Sequence, residues 1–204
     1  MAEKSIKVGA AILAAGKASR FQAPKMLLPI FGKPLLHHLL HICEIFTETI
    51  VISGFWHTAI AESLMASKTT LLFNGRYESG IASSLQLAAK HAQQKRWDGL
   101  AIVLGDTFVD QTHLEKLLAL FKSSLRIVAT TKEGVLQPPV LFPAAMFPLF
   151  ENLSGDQGLG AWLRSQQDIQ TVTSKEPIVD FDSWQDYNSF IDLENSCFPH
   201  SSLL

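Results

Sequence analysis

Apolar positions along this chain come in short continuous runs, and between the runs they recur every three or four residues, so a strand period alternates with a helix period. The runs "KVGAAIL", "TIVISG", "TTLLFN", "GLAIVLGD" and "LRIVATT" predict strands. The segments "PLLHHLLHICEIF", "TAIAESLMAS", "IASSLQLAAKHAQQK" and "QTHLEKLLALFKSS" predict helices, the first of them opening behind a proline. Strand and helix in alternation predict an α/β fold with a mostly parallel sheet. From Gly134 the rhythm changes. The stretch "GVLQPPVLFPAAMFPLFENLSGDQG" carries four prolines, which remove backbone donors, and it is expected to lie over the sheet as an insertion. Beyond it "GLGAWLRSQ" predicts a short helix, "IQTVTS" and "PIVDFD" late strands, and "SWQDYNSFIDLE" a closing helix with Ser183 as N-cap. Residues 1–194 are expected to form a single domain, and residues 195–204 a frayed tail.

Composition narrows the class. At 204 residues, 47% hydrophobic and 18% charged, the chain suits one well-buried globular domain. Seventeen basic against nineteen acidic residues leave a formal charge of −2, so no general field draws nucleic acid or an anionic membrane, and neither is expected as a partner. Cys43 and Cys197 fit neither a CxxC spacing nor a disulfide framework, which makes a reduced, cytoplasmic setting the expectation. The N-terminal apolar stretch reads as a buried strand and not as a signal segment, and no run reaches the roughly 18 apolar residues that span a bilayer. Without such a segment the glycosylation sequon at Asn152 carries no weight.

Candidate chemistry begins where the first strand stops. In "AAILAAGKASRFQAPKMLLPIFGKPLL" the apolar run ends at Gly16, and Lys17, Arg20 and Lys25 follow within a few residues. A loop of Leu13, Ala14, Ala15 and Gly16 at the carboxyl edge of a parallel sheet lets backbone N–H groups approach an anion closely. Neither GxGxxG nor a complete P-loop is present, and the plain alternative is a tight turn with scattered cations. "NGRYESGIASSLQLAA" opens a helix with Ser83 and Ser84, either a polar ligand edge or ordinary capping. In "IVLGDTF", Asp106 sits straight after an apolar strand, where it could hold a hard cation or cap a turn. Asp180 and Asp182 in "IVDFDSWQDY" fall on one face of an extended strand and compete as a second cation ligand. His37 and His41 lie one helical turn apart, but no third metal ligand accompanies them.

The stretch "LAAGKASRFQAPKMLLPIFGKPLL" closely resembles the signature of the MobA-like nucleotidyltransferases, in particular the molybdenum cofactor cytidylyltransferase branch, and the resemblance runs from about Val8 to Tyr187. It implies a Rossmann-like GT-A fold with helices on both faces of the sheet, and transfer of a nucleoside monophosphate to a phosphorylated acceptor with loss of pyrophosphate. The loop Leu13–Gly16 would wrap the triphosphate, with Arg20 and Lys25 neutralising it and Lys25, Arg20 and Asp106 as the catalytic set. Asn74 and Ser83 would lie on the nucleotide side, Asp106 and Asp182 would hold Mg²⁺, and Asp156 and Asp180 would face the acceptor. The LAAG form points to CTP and to molybdopterin as acceptor, with a molybdoenzyme as a further partner. Departures from the family pattern are Gln22 in place of glycine, Thr107-Phe108 after Asp106, Gln137-Pro138 in place of glycine-histidine, and Gly160 in place of arginine. Two alternatives follow from them: the same transfer onto a sugar phosphate or other acceptor, or a catalytically weakened nucleotide-binding accessory protein.

Overall fold

In the computed structural model, residues 5–19, 21–155, 159–166, 168–174 and 178–197 are described. The main sheet has seven strands: β1 (Val8–Ala14), β4 (Thr49–Ser53), β5 (Thr70–Phe73), β6 (Gly99–Leu104), β8 (Val128–Lys132), β9 (Val135–Pro143) and β10 (Gln170–Thr173). Their order across the sheet is β10-β8-β9-β6-β1-β4-β5. Every pairing is parallel except those of β9, which runs antiparallel to both β6 and β8. Two small ribbons stand apart: β2 (Pro29–Ile30) with β3 (Lys33–Pro34), and β7 (Thr107–Phe108) with β11 (Val179–Asp180).

Alternation along β1 divides the core in two. Ala10, Ile12 and Ala14 face α1 (Leu35–Ile42) and α4 (Gln111–Ser124), with Leu39, Leu117 and Phe121 on the same side. Ala11 and Leu13 face α3 (Ile81–Gln94), a long 3₁₀ segment (Ala144–Asn152) and α5 (Leu159–Arg164). Ile60 of α2 (His57–Ser63) joins the first layer. The result is a three-layer α/β fold: the mostly parallel sheet is as the strand and helix periods predict, and the helices on both faces are as the resemblance implies. A closing helix, α6 (Trp184–Cys197), begins at a reciprocal cap: Ser183 Oγ accepts from the Asp186 N–H at 3.2 Å, and the Asp186 carboxylate accepts from Ser183 N and Oγ at 2.7 and 2.8 Å. Those hydrogen bonds hold the Asp186 carboxyl below the usual aspartate value. The helix continues three residues past the boundary read from the sequence, which placed Asn195 to Cys197 in the tail.

The proline-rich segment corrects one expectation. Val135–Pro143 is not laid over the sheet but inserted into it, between β6 and β8. Prolines are accommodated because the pairing with β8 skips from Val140 to Gln137, so Pro138 and Pro139 fall in the irregularity, while the pairing with β6 covers only Val140 to Pro143.

Candidate nucleotide and cation site

The chain leaves β1, forms β4 and β5 on one side, then returns to place β6 on the other side of β1. Such a reversal opens a crevice beyond the carboxyl ends of the two central strands. The loop after β1 and the turn after β6 both empty into it. A cavity of about 590 Å³ occupies the crevice, and Leu13, Ala14, Ala15, Gly16, Lys25 and Asp106 all line it. Lys17, Tyr77, Glu78, Ile81 and Ser84 complete much of its wall.

Small side chains at the strand end are a packing requirement. Gly105 N–H donates to Leu13 O at 2.9 Å and Phe55 N–H to Ala15 O at 3.2 Å, so the loop is gripped from both neighbouring strands. A Cβ added to Gly54 would stand 2.4 Å from Ala15 O and 2.6 Å from Tyr77 Cβ. Gly16 differs. A Cβ there would meet nothing within 4 Å, and its backbone is not left-handed, so the protein itself does not demand glycine at this position. The open space beside it belongs to the cavity.

After the loop, Phe21 and Lys25 turn inward. Phe21 is buried with its ring 4.3 Å from that of Trp184, and a 3₁₀ turn (Lys25–Leu27) follows Pro24. Gln22, where the family pattern has glycine, keeps a left-handed φ of 55°. Lys25 is only 8% exposed, and its Nζ donates to Asp106 Oδ2 at 3.5 Å and to Asp182 Oδ1 at 3.4 Å. One ammonium thus joins carboxylates that are far apart in sequence. Burial pushes the Asp106 carboxyl above its usual value; Lys25 opposes that shift and the charge of Asp180 adds to it.

Asp180 and Asp182 are not used alike. Asp180 accepts the hydroxyl of Thr107, whereas Asp182 is 75% exposed at its side chain and turned to Lys25. Among the described residues no three His, Cys, Asp or Glu side chains are gathered to hold a metal ion. The donor set is therefore two hard carboxylates with open positions, which suits a cation that takes its remaining ligands from water and phosphate. His37 engages Ser63 and His41 pairs with Glu44, so the two rings do not share a site.

Asn74 and Ser83 stand behind the cavity wall and are not among its lining residues. The Asn74 amide donates to Ser83 Oγ at 2.8 Å and Ser84 Oγ at 3.0 Å, while its carbonyl oxygen accepts from Arg76 N. Ser83 returns its proton to Arg76 O and Gly80 O. Ser84 lines the cavity instead. The resemblance puts Ser83 on the nucleotide side, and in the structure it is the adjacent Ser84 that reaches the cavity wall. Arg20 and Asp156 lie outside the described residues.

Over 117 residues the chain is 33% identical to the bifunctional protein GlmU of Acinetobacter baylyi, a match spanning 53% of this chain and 24% of that protein. The match thus takes in about a quarter of the curated relative's length. Among solved structures the fold is similar to Rv0371c of Mycobacterium tuberculosis, with a TM-score of 0.81 at 22% identity over 93% of this chain and 100% of that one. It is similar as well to Rv0371c in complex with manganese, at a TM-score of 0.76 and 21% identity over 91% and 98% of the two chains. At such identities the likeness concerns the fold. No described helix is long and apolar enough to cross a membrane. Residues 10–170 match the family pattern as a whole, loop, cavity strands and β9 included, and the chain belongs to the MobA-like NTP transferase domain family.

Proposed function

We propose that this protein transfers CMP from CTP to a phosphorylated acceptor such as molybdopterin, releasing pyrophosphate, in a reduced cytoplasmic setting. The observation that carries the reading is the meeting of the Gly16 loop, Lys25 and Asp106 on one cavity, with Lys25 Nζ 3.5 Å from Asp106. In the reaction an acceptor phosphate oxygen bonds to the α-phosphorus of the nucleotide as the bond to pyrophosphate oxygen breaks. Such a transfer asks the protein for alignment and charge neutralisation. Backbone amides of Ala15 and Gly16, just past the end of β1, would cradle the triphosphate, and Lys25 would follow the charge that develops on the leaving pyrophosphate; Arg20 has the same assignment by resemblance. Asp106 and Asp182 would hold Mg²⁺, which when bound supplies Lewis-acid neutralisation at the α-phosphate. The manganese held by the similar Rv0371c structure supports a divalent cation in this reading.

The LAAG form of the loop supports CTP through its resemblance to the cytidylyltransferase branch. Ala15, which stands where the LAGG pattern has glycine, is among the residues around the cavity. Ser84 already accepts from Asn74, so its own hydroxyl proton remains to be donated to a base carbonyl, a group that cytosine and guanine carry and adenine lacks. Pyrophosphate release measured with CTP, GTP and ATP, Mg²⁺ and a molybdopterin acceptor tests the reading. Turnover with CTP foremost is the expected result. No turnover with any nucleotide, despite tight binding, would point to an accessory protein, with a molybdoenzyme as its partner. A sugar phosphate accepted in place of the pterin is the second reading. It is favoured by Gln137-Pro138 and Gly160, which depart from the family pattern on the acceptor side.

A further inference from the structure

Thr107 and Asp180 are direct partners across the β7–β11 ribbon. Residues opposed in an antiparallel pair project to the same side, so their side chains meet. Thr107 is 2% exposed, and its hydroxyl donates to Asp180 Oδ1. The ribbon ends at Asp180; the following Phe181 N–H donates to Asp106 O at 3.2 Å, which ties the next turn to the cation site. Phe108 anchors the ribbon from the other side, its ring 5.0 Å from Phe190 of α6. Only then comes Asp182, whose Oδ1 faces Lys25 at 3.4 Å. Two carboxylates separated by a single residue therefore have different occupations, one given to a hydroxyl and the other to the charged centre.

We infer that Thr107 is a positioning residue that selects the cation ligand, engaging Asp180 so that Asp182 is left to complete the site with Asp106. The inference rests on the cation reading above and deepens it. Without the hydroxyl, Asp180 would be a third carboxylate free to turn toward the same ammonium or cation. Additional negative charge tightens binding of a bare divalent ion, yet it competes with the substrate phosphates for coordination positions. Thr107 thus trades raw cation affinity for a site that stays open to a nucleotide.

Binding of Mn²⁺ alone to the full chain, read from the electron paramagnetic resonance of the free ion, separates these roles. In the wild-type background Asp182→Asn should weaken Mn²⁺ binding about tenfold, while Asp180→Asn should leave it within about twofold. Thr107→Val, which keeps the shape and removes the hydroxyl, should tighten Mn²⁺ binding about threefold and make it sensitive to Asp180→Asn. Thr107→Ser should restore wild-type behaviour. A hydroxyl that served stability alone would lower Tm without moving the dependence from Asp182 to Asp180. Equal losses from Asp180→Asn and Asp182→Asn in the wild type would overturn the inference, and that comparison stands even if Thr107→Val does not fold. So would a folded Thr107→Val chain indifferent to Asp180. Failure of the wild type to bind Mn²⁺, with Asp106→Asn changing nothing, would instead remove the cation reading itself and this inference with it.

Discussion

The loop after β1 and the strand β9 occupy the two halves of one sheet, and they are held by different means. Ala14 to Gly16 is fixed by its immediate neighbours: Gly54 and Gly105 press close from β4 and β6, and backbone hydrogen bonds reach Leu13 and Ala15. β9 depends on a buried side-chain relay. Pro139 O can only accept, so Thr130 Oγ1 donates to it at 2.9 Å and in turn accepts from His113 Nε2 at 2.9 Å. The first region spends its backbone groups on packing and leaves open space at Gly16. The second spends polar side chains on a carbonyl that lies where the strand register skips. A site for a ligand and a site for strand closure thus differ in what is left unfilled.

The comparison breaks most visibly at the charged centre. Lys25→Met and Asp106→Asn should each lower turnover about a thousandfold, or about 4 kcal/mol of barrier, with the circular dichroism of the fold unchanged. Retained turnover in both would detach the cavity from the chemistry. In the other half, Thr130→Val strands a buried carbonyl and a buried imidazole N–H, and chemical denaturation should show a loss of about 2 kcal/mol with nucleotide binding little altered. A similar stability loss from a conservative change in the Gly16 loop would erase the distinction.

pH sharpens the same contrast. Burial holds His113 below its usual value of 6.5, with Lys116 working in the same direction and Asp110 against it. The folded chain therefore binds this proton less readily than the unfolded chain. The stability contributed by neutral His113 is complete above pH 6.5 and is lost progressively as pH falls from there toward the depressed folded value. Thermal melts from pH 8 to pH 5 should show that decline, and His113→Gln should flatten it. The smallest effect belongs to Gln22, an exposed residue in a left-handed conformation: Gln22→Gly should raise stability by about 1 kcal/mol or less, read as a small rise in Tm.

Much of the first region is legible in the sequence because its causes are local. The apolar run of β1, the small residues after it and the acid after β6 each announce themselves within a few positions, and topology brings their ends together. Asp182 is visible as a candidate but not separable from Asp180, since the distinction comes from Thr107 in a strand more than seventy residues away. β9 is illegible for a related reason. Its prolines argue against a strand in isolation, and only the skipped register opposite Ala129 and Thr130 makes room for them. Ser84 rather than Ser83 lines the cavity because of a helical rotation that the shared serine signal does not encode. Tyr77 and Glu78 join the wall without any prior sign beyond their place before Gly80.

Gly16 offers the most direct test of a polyphosphate receptacle at the ends of β1 and β6, because the fold leaves room there and only a ligand would object. Calorimetric titration of CTP with Mg²⁺ should show Gly16→Ala binding about tenfold or more weakly than the wild type at an unchanged Tm. Equal affinity in the two proteins would contradict the account.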